Sequence, residues 1–357
     1  MKHPVYTPIL KSKLGEAKAL MRLDRQTKSK IIPFFDILAL KSGLSNGNDV
    51  HTFLEKHATF VAAAWNGRGP CYVDLRDIDP SARGFHGEHP VTIVHDRLSF
   101  DQVEVIPVVG IERDVAYKLA VRRVVAQGAD GIAVRLGSED IQLPSSLVER
   151  VTRLMAEIGA SDLPLHVFMD FAAIEHVESD VIQMRLLRAL AEINKLNPAR
   201  VVFSASAFIS DMGKVKKGVL KTIPRRDFLI WESMNMIAPE VDYADYGVVH
   251  PGYFDFDPRT IKPAAKIRYT SDKEWLIAKG SRWVSDTSQH QGLSKLLYKS
   301  EKFRGGDCWG GESIVAAALG RPSLRRLEDW VTIDQNNHIT HTVRQLSRVR
   351  VASKAGV

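Results

Sequence analysis

The feature that constrains this chain most is a series of about eight short apolar runs, rich in Val, Ile and Phe, separated by segments of helical length. Such runs are typical of parallel strands buried on both faces, and parallel strands need crossover helices because a tight turn cannot join them. The runs occupy residues 31–38, 71–76, 103–110, 131–136, 165–171, 200–206, 228–233 and 243–250. About eight parallel strands close a (β/α)8 barrel.

The segments between the runs have the apolar spacing and the stop signals of helices. Residues 113–127 repeat apolar side chains at helical spacing before Gly128, and residues 145–158 behave similarly. Residues 181–196 do so up to Pro198, where a helix cannot continue. An open doubly wound sheet would give the same alternation, but the strand count and the lack of a Gly-rich dinucleotide turn favour closure. The sequence therefore predicts an α/β fold, a TIM-like (β/α)8 barrel.

The alternation ends near residue 251, and a different pattern follows. Residues 265–270 and 274–280 predict two strands joined by a polar turn. Helices are predicted at residues 288–299, 312–319 and 324–330. The expected domains are residues 1–261, a barrel with an N-terminal plug segment, and residues 262–357, a C-terminal α+β appendage packed on the barrel.

The composition is that of an ordinary folded protein, with 45% hydrophobic and 25% charged residues. The start of the chain lacks a signal-peptide pattern, and no window approaches the roughly 18 apolar residues of a spanning helix. We therefore expect a cytoplasmic protein without membrane contact. Cys71 and Cys308 are the only cysteines, so we expect neither a disulfide framework nor a Cys-based zinc site.

The formal net charge of +7 favours an anionic partner, although an excess this small is often only a solubility feature. Part of it is concentrated at Lys214, Lys216, Lys217, Lys221, Arg225 and Arg226. A solvated surface is the usual meaning of such a run, and nucleic-acid binding is the alternative. No aromatic residue is interleaved with these basic residues, which weakens a stacking mode for single strands.

Polar side chains stand late in several apolar runs, where a closed barrel places its reactive face. They are Asp36, Asp74 with Arg76, Arg135, Asp170, Ser204 with Ser206, and Glu232. Burying such charges singly costs several kcal/mol or more. We therefore expect them to converge on one another, on a metal ion or on a charged ligand.

The acids and the basic residues suit two different roles. Hard carboxylate oxygens suit Mg²⁺ or Mn²⁺, and could be catalytic. The candidate catalytic and metal-binding acids are Asp170, Glu232, Asp36 and Asp74. Arginine forks suit a phosphate. The candidate ligand-binding residues are Arg76, Arg135, Arg268 and Lys11, the last in the predicted plug. Together these groups suit phosphoester chemistry by metal-assisted attack of water. The alternative is a network of salt bridges at the rim, without a substrate.

Two histidines near the end of the chain are a further candidate metal site. His338 and His341 would share one face of a helix. Thr340 and Thr342 favour a strand instead, in which the two histidines would face opposite sides and could not chelate together. We therefore expect His338 and His341 to be independent exposed or packed side chains that do not bind a metal ion together.

Short motifs along the whole chain agree in order and spacing with those of one known family. They lie at residues 8–16, 19–20, 31–36, 245–247 and 268–270, at Trp275 with 279–280, and at Trp330 with 337–340. With these motifs the chain resembles the phage "beta protein" family. It departs from the family pattern at Asn336, Asn337 and His338, where members often carry Asn-His-His.

Members of this family are similar to the middle component of the Gop-Beta-cII cluster of satellite phages and prophages, which is associated with protection of the host against other phages. The resemblance implies antiphage defence and companion proteins of that cluster as partners, but no reaction. Three functions remain open. The chain could sense or process a phosphate-containing ligand, such as a nucleotide, at the barrel rim. It could instead be a non-enzymatic binding partner or regulator of a companion effector. Or it could bind nucleic acid through residues 214–226 and the basic residues near its C-terminus.

Overall fold

Eight parallel strands close into a barrel in the computed structural model, which describes residues 4–41, 43, 46–252, 263–286, 288–321 and 326–355. The barrel strands are β1 (Tyr6–Lys11), β2 (Phe34–Asp36), β3 (Cys71–Asp74), β4 (Val105–Val109), β5 (Ile132–Leu136), β6 (Leu165–Ala173), β7 (Arg200–Ser206) and β9 (Val241–Asp245). They follow one another around the barrel, and β9 pairs with β1 to close it. The predicted (β/α)8 architecture is confirmed.

Helices connect the strands as crossovers require. Within the barrel they are α1 (Leu14–Met21), α2 (Arg25–Lys28), α3 (Gly47–Trp65), α4 (Pro90–Phe100), α5 (Val115–Ala126), α6 (Ser138–Ile141), α7 (Leu147–Glu157), α8 (Ser179–Ile193) and α9 (Arg226–Met234). The tail adds α10 (His290–Tyr298), α11 (Trp309–Ala318) and α12 (Leu327–Ala355). The helices predicted at 113–127, 145–158 and 181–196 are confirmed as α5, α7 and α8.

Two predictions about the barrel strands were wrong: one strand was missed and one helix was predicted as a strand. The predicted number of strands is correct because the two errors offset each other. The predicted plug contains β1, which pairs with β2 and β9. Residues 228–233, predicted as a strand, belong to helix α9. Phe228 and Trp231 of this helix pack against Tyr243 of β9. A short apolar run buried on a barrel can be either a strand or a helix, because length and periodicity do not separate the two.

A three-stranded antiparallel sheet lies beside the barrel. It consists of β10 (Ala264–Thr270), β11 (Glu274–Arg282) and β8 (Leu220–Pro224), in the order β10-β11-β8. The predicted hairpin of the tail is therefore confirmed, and its third strand comes from the segment between β7 and β9. The predicted domain boundary at residues 261 and 262 lies outside the described residues.

The two faces of this sheet have different partners because side chains alternate along a strand. Trp275 belongs to the core around the barrel, and its ring centroid lies 5.2 Å from that of Phe208. Leu276, on the other face, belongs to a second core with Leu293 of α10 and Ile314 of α11. The sheet is thus packed between the barrel and the tail helices.

Helix α12 returns from the tail to the barrel and contacts α1 and β10. It contains His338 and His341, so the strand predicted there from Thr340 and Thr342 was wrong. Residues 332–343 are almost all buried, and burial overrides the weak strand preference of threonine. In the part of the chain that the structure describes, no helix has the length and apolar character needed to cross a bilayer.

Candidate functional site

A layer of polar side chains closes the carboxyl-terminal end of the barrel interior. Each member follows an apolar interior residue of the same strand by two positions, so strand alternation points it inward. The members are Lys11, Asp36, Asp74, Arg135, Asp170, Ser204 and Tyr246. Strand β4 reaches the same level with Gly110 and contributes no side chain. We call this set the polar layer.

Arg135 is the centre of the polar layer. Its Nη1 donates to Asp36 Oδ1 at 2.7 Å and to Asp74 Oδ2 at 2.8 Å. Its Nε donates to Asp170 Oδ2 at 2.8 Å, and its Nη2 donates to the Tyr246 hydroxyl at 2.7 Å. Arg135 is 3% exposed, and the three aspartates are 2% exposed or less. One guanidinium therefore holds three buried carboxylates that come from three different strands.

Burial and the arginine act in opposite directions on the aspartates. Burial alone raises the pKa of a carboxyl group, but Arg135 lowers the pKa of Asp36 and of Asp170 below the usual range. Asp170 also accepts a hydrogen bond of 2.6 Å from the Tyr246 hydroxyl. Both aspartates are therefore ionised acceptors at neutral pH, and neither can serve as a general acid.

Two further cations surround the centre. Lys11 Nζ donates to Asp36 Oδ2 at 3.0 Å and to Asp77 Oδ2 at 2.9 Å. Arg76 Nη1 donates to Asp170 Oδ2 at 3.3 Å. The Arg76 side chain is 24% exposed and that of Asp77 is 37% exposed. Arg76 and Asp77 therefore extend the polar layer to the solvent-exposed rim of the barrel.

The backbone of β6 is irregular at this site. Its pairing with β7 jumps from Asp170 opposite Ser204 to Ala173 opposite Ser206, so β6 contains a bulge. Within the bulge Ala172 has a φ of 49°, and its N–H donates to Asp170 Oδ1 at 3.0 Å. Bulges and strained backbones of this kind cluster at functional sites.

Arg113 is a component of the site that the sequence did not predict. Its Nη2 lies 3.2 Å from Asp74 Oδ1, and its Nη1 lies 2.9 Å from Glu112 Oε1. The Arg113 side chain is 11% exposed. Its Nε is buried and has no hydrogen-bond partner among the residues described. Arg113 lies in the loop between β4 and α5, and loops of this kind form the reactive face of a barrel, which is the signal that could have found it.

A cavity of about 170 Å³ lies against Arg113. Arg76, His89 and Tyr117 also line it. The cavity touches the N-terminal ends of two helices, because His89 caps α4 and the cavity-lining Asp114 caps α5. Helix N-termini carry partial positive charge. The cavity therefore combines two arginines and two positive helix ends with the carboxylates of Asp79, Glu112 and Asp114, which also line it.

His89 adds a hydrogen-bond donor to this cavity. Burial, with Arg83 nearby, lowers the pKa of His89 to about 4, so the ring is neutral near pH 7. Its Nδ1 accepts from the Val91 N–H at 3.2 Å. The hydrogen of the neutral ring must therefore lie on Nε2, which is a donor.

Two of the predicted site residues lie elsewhere. Glu232 is on helix α9, and its side chain lies 3.9 Å from Lys273 and is 37% exposed. It misses the polar layer because its segment is a helix. Arg268 of β10 is buried, and its Nε donates to Asp334 Oδ2 at 2.8 Å on helix α12. Its Nη1 also donates to the Val248 carbonyl oxygen at 3.0 Å, so Arg268 joins the tail to the segment after β9 and is not part of the polar layer.

The predicted metal site does not fit the arrangement of the acids. Arg135 bridges Asp36, Asp74 and Asp170, and its positive charge opposes a divalent cation at the same carboxylates. Over the described ranges, no group of three or more His, Cys, Asp and Glu side chains is placed to hold a metal ion.

A second buried cluster lies on the outer side of the barrel wall, around Asp245. Asp245 Oδ1 accepts from the Tyr6 hydroxyl at 2.5 Å and from the Gly247 N–H at 2.9 Å. Asp245 Oδ2 accepts from the Tyr243 hydroxyl at 2.9 Å. His338 Nε2 of α12 lies 3.0 Å from both carboxylate oxygens. This cluster fixes α12 against β1 and β9.

The basic residues of segment 214–226 do not form one exposed patch. Arg225 is fully buried, and its Nη2 lies 3.9 Å from Asp245 Oδ2. Arg226 donates to the carbonyl oxygen of Glu175 at 3.2 Å. Lys216 and Lys217 are exposed. Nucleic-acid binding through this segment stays a prediction.

The fold and the polar layer define the chain as a (β/α)8 barrel protein with a charged site at the carboxyl ends of its strands. The chain belongs to the family described as "Beta protein", whose model matches residues 6–344. None of the curated proteins compared with it matches.

Among solved structures, 6 chains match, and one of them is described as "PhdJ bound to substrate intermediate". It is 10% identical, with a TM-score of 0.31, and the match covers 96% of this chain and 97% of that one. A TM-score this low supports no conclusion about function.

Proposed function

We propose that the chain binds a phosphate-containing ligand at the barrel rim, with the phosphate in the cavity beside Arg76, Arg113 and His89. The observation that carries this proposal is Arg113. Its side chain lines the cavity and is 11% exposed, and its guanidinium is fixed there by Asp74 on one side and Glu112 on the other. A guanidinium fixed at a cavity wall is a charge-assisted donor for a phosphate oxygen.

The donors of the site support the same ligand class. The polar layer has the cations Lys11, Arg76, Arg113 and Arg135 around the buried acids Asp36, Asp74 and Asp170. At the cavity wall Asp79, Glu112 and Asp114 offset Arg76 and Arg113, so net charge does not select an anion there. Arginine forks and helix N-termini are the usual ligands of phosphate groups in proteins. The support is therefore the directed donors of Arg76, Arg113 and His89 together with the two helix ends.

The geometry supports binding better than hydrolysis. The predicted reaction needs a metal ion or a proton donor at the acids. Asp36 and Asp170 are held as carboxylates by Arg135, and Glu232 lies on another element. We therefore assign the acids a positioning role. They hold Arg76, Arg113 and Lys11 in place for the ligand.

For the biological setting, we propose that the chain acts in a phage-encoded or prophage-encoded antiphage defence system together with companion proteins. The support is membership of the Beta protein family and the resemblance described above. In this proposal the bound ligand is a signal, and occupancy of the rim changes the contacts of the barrel with a companion protein. The second candidate is a scaffold that regulates a companion effector without any ligand.

Titration of the purified full-length chain with inorganic phosphate tests the binding proposal. We expect saturable binding by calorimetry, and Arg113→Met should weaken it at least about tenfold because one charge-assisted contact contributes about 1.5–3 kcal/mol. Arg122→Met is the matched control, because Arg122 lies exposed on α5 outside the cavity lining. Equal binding by wild type and both variants would overturn the assignment of the cavity.

A phage-protection assay with the same variants separates the two candidate roles. If the ligand is a signal, folded Arg113→Met should lose protection and Arg122→Met should keep it. If both variants protect cells as well as wild type, the scaffold role is correct and the ligand is not required for defence.

A further inference from the structure

A larger cleft adjoins the proposed phosphate cavity. It has a volume of about 770 Å³ and lies between α3 and the loop after β3. Arg76, Ile78, Asp79 and Pro80 line both the cleft and the cavity. A ligand whose phosphate lies beside Arg113 would therefore extend past Arg76 into this cleft.

The size of the inner cavity limits what can enter it. It is the smaller of the two spaces, about 170 Å³ against about 770 Å³ for the cleft. The compact phosphate group suits the smaller space, and the bulk of a larger molecule suits the cleft. The phosphate is thus the end of the ligand, and the rest of the molecule lies in the cleft.

The cleft itself presents carboxylate acceptors. Asp77 is 37% exposed; its Oδ2 accepts from Lys11, and its Oδ1 lies 3.5 Å from Arg76 Nε. Asp79 Oδ1 accepts from the N–H and the hydroxyl of Ser81, and neither of these two bonds uses Asp79 Oδ2. Carboxylates at the mouth of a phosphate site recognise hydroxyl groups, as acidic residues do with the ribose of a dinucleotide.

The apolar lining of the cleft is small and aliphatic. It includes Leu40, Val50 and Ala82, and no aromatic side chain is among the lining residues that the structure describes. Aromatic side chains are the usual platforms for a nucleobase. Aliphatic groups suit the C–H face of a sugar, and the cleft carries both these and hydroxyl acceptors.

We infer that the ligand is a phosphomonoester of a polyhydroxylated molecule, a sugar phosphate, whose phosphate lies beside Arg113 and whose hydroxyl groups reach Asp77 and Asp79. This inference rests on the proposed phosphate site and adds the chemical class of the ligand. The sugar is recognised by its hydroxyl groups, and any further substituent extends into solvent.

Calorimetric titration with four probes tests the inference: inorganic phosphate, ribose, ribose 5-phosphate and adenosine 5′-monophosphate. We expect ribose 5-phosphate to bind at least tenfold more tightly than phosphate or ribose, and the nucleotide to bind no more tightly than ribose 5-phosphate. Asp79→Asn should lower the ratio of the affinity for ribose 5-phosphate to that for phosphate, because Asp79 lines both spaces and only the sugar needs its oxygen as an acceptor. Asp162→Asn, at an exposed acid outside the cleft lining, is the matched control.

The outcomes separate this inference from the function on which it rests. Equal affinity for phosphate and ribose 5-phosphate would overturn the sugar assignment and leave the phosphate site standing. Tighter binding of the nucleotide than of ribose 5-phosphate would also overturn it, because the base would then be recognised. Failure of all four probes to bind would overturn both the inference and the proposed function.

Discussion

Replacing Arg135 by methionine is expected to lower the free energy of unfolding by about 3–5 kcal/mol at neutral pH, as breaking a buried ion pair does. Arg135 holds Asp36, Asp74 and Asp170 within hydrogen-bond distance, and all four side chains are almost completely buried. The variant would leave these carboxylates without their common partner. Urea unfolding at pH 7 measures the difference, and Arg135→Lys should lie between the variant and wild type.

The lowered pKa values of the aspartates determine how the effect of Arg135→Met on stability changes with pH. The pKa values of Asp36 and Asp170 are lowered in the folded chain, so their stabilising contribution is present above the unfolded value near 4 and is lost as the pH falls. The difference between wild type and Arg135→Met should therefore narrow in acid. Arg188→Met, on the exposed side of α8, is the control and should change stability by no more than about 0.5 kcal/mol. A loss below about 1 kcal/mol for Arg135→Met would contradict the central role of this residue.

The second large effect is expected at Asp245. In Asp245→Asn, an amide replaces one of the two oxygens that accept from Tyr6, Tyr243 and Gly247 and that lie beside His338. The variant loses a charged acceptor and gains an NH2 group that faces other donors. Together these changes should lower the free energy of unfolding by about 3 kcal/mol. Helix α12 should then exchange its amide hydrogens faster, because this cluster attaches it to the barrel.

Asp162→Asn serves as the control for this variant, since it makes the same chemical change at an exposed position. Chemical unfolding and hydrogen exchange of both proteins provide the comparison. If Asp245→Asn unfolds like wild type and the exchange of α12 is unchanged, the attachment of the helix must depend on other contacts.

Much of the polar layer could be predicted because two simple rules apply to it. Strands buried on both faces are visible as apolar runs, and a charge late in such a run must lie at the carboxyl end of the barrel. Asp36, Asp74, Arg135 and Asp170 satisfy both rules and meet in the structure. The rules hold only where the predicted element is in fact a strand. The prediction for Glu232 was wrong because its apolar run forms a helix.

Two other parts of the site could not be found in this way. Arg113 and His89 lie in loops, where no periodicity indicates which side chains turn toward the barrel. The Asp245 cluster joins Tyr6 to His338, which are 332 positions apart in the chain. Contacts at that separation follow from the closure of the barrel and the return of α12, and no local pattern records them.

The most direct test of the phosphate site is a crystal structure of the full-length chain soaked with tungstate, a heavy-atom analogue of phosphate. We expect an anomalous difference peak in the cavity lined by Arg76, His89 and Arg113, and its loss in Arg113→Met. Peaks confined to exposed lysines, or a cavity peak that persists in Arg113→Met, would contradict the assignment of this cavity as a phosphate site.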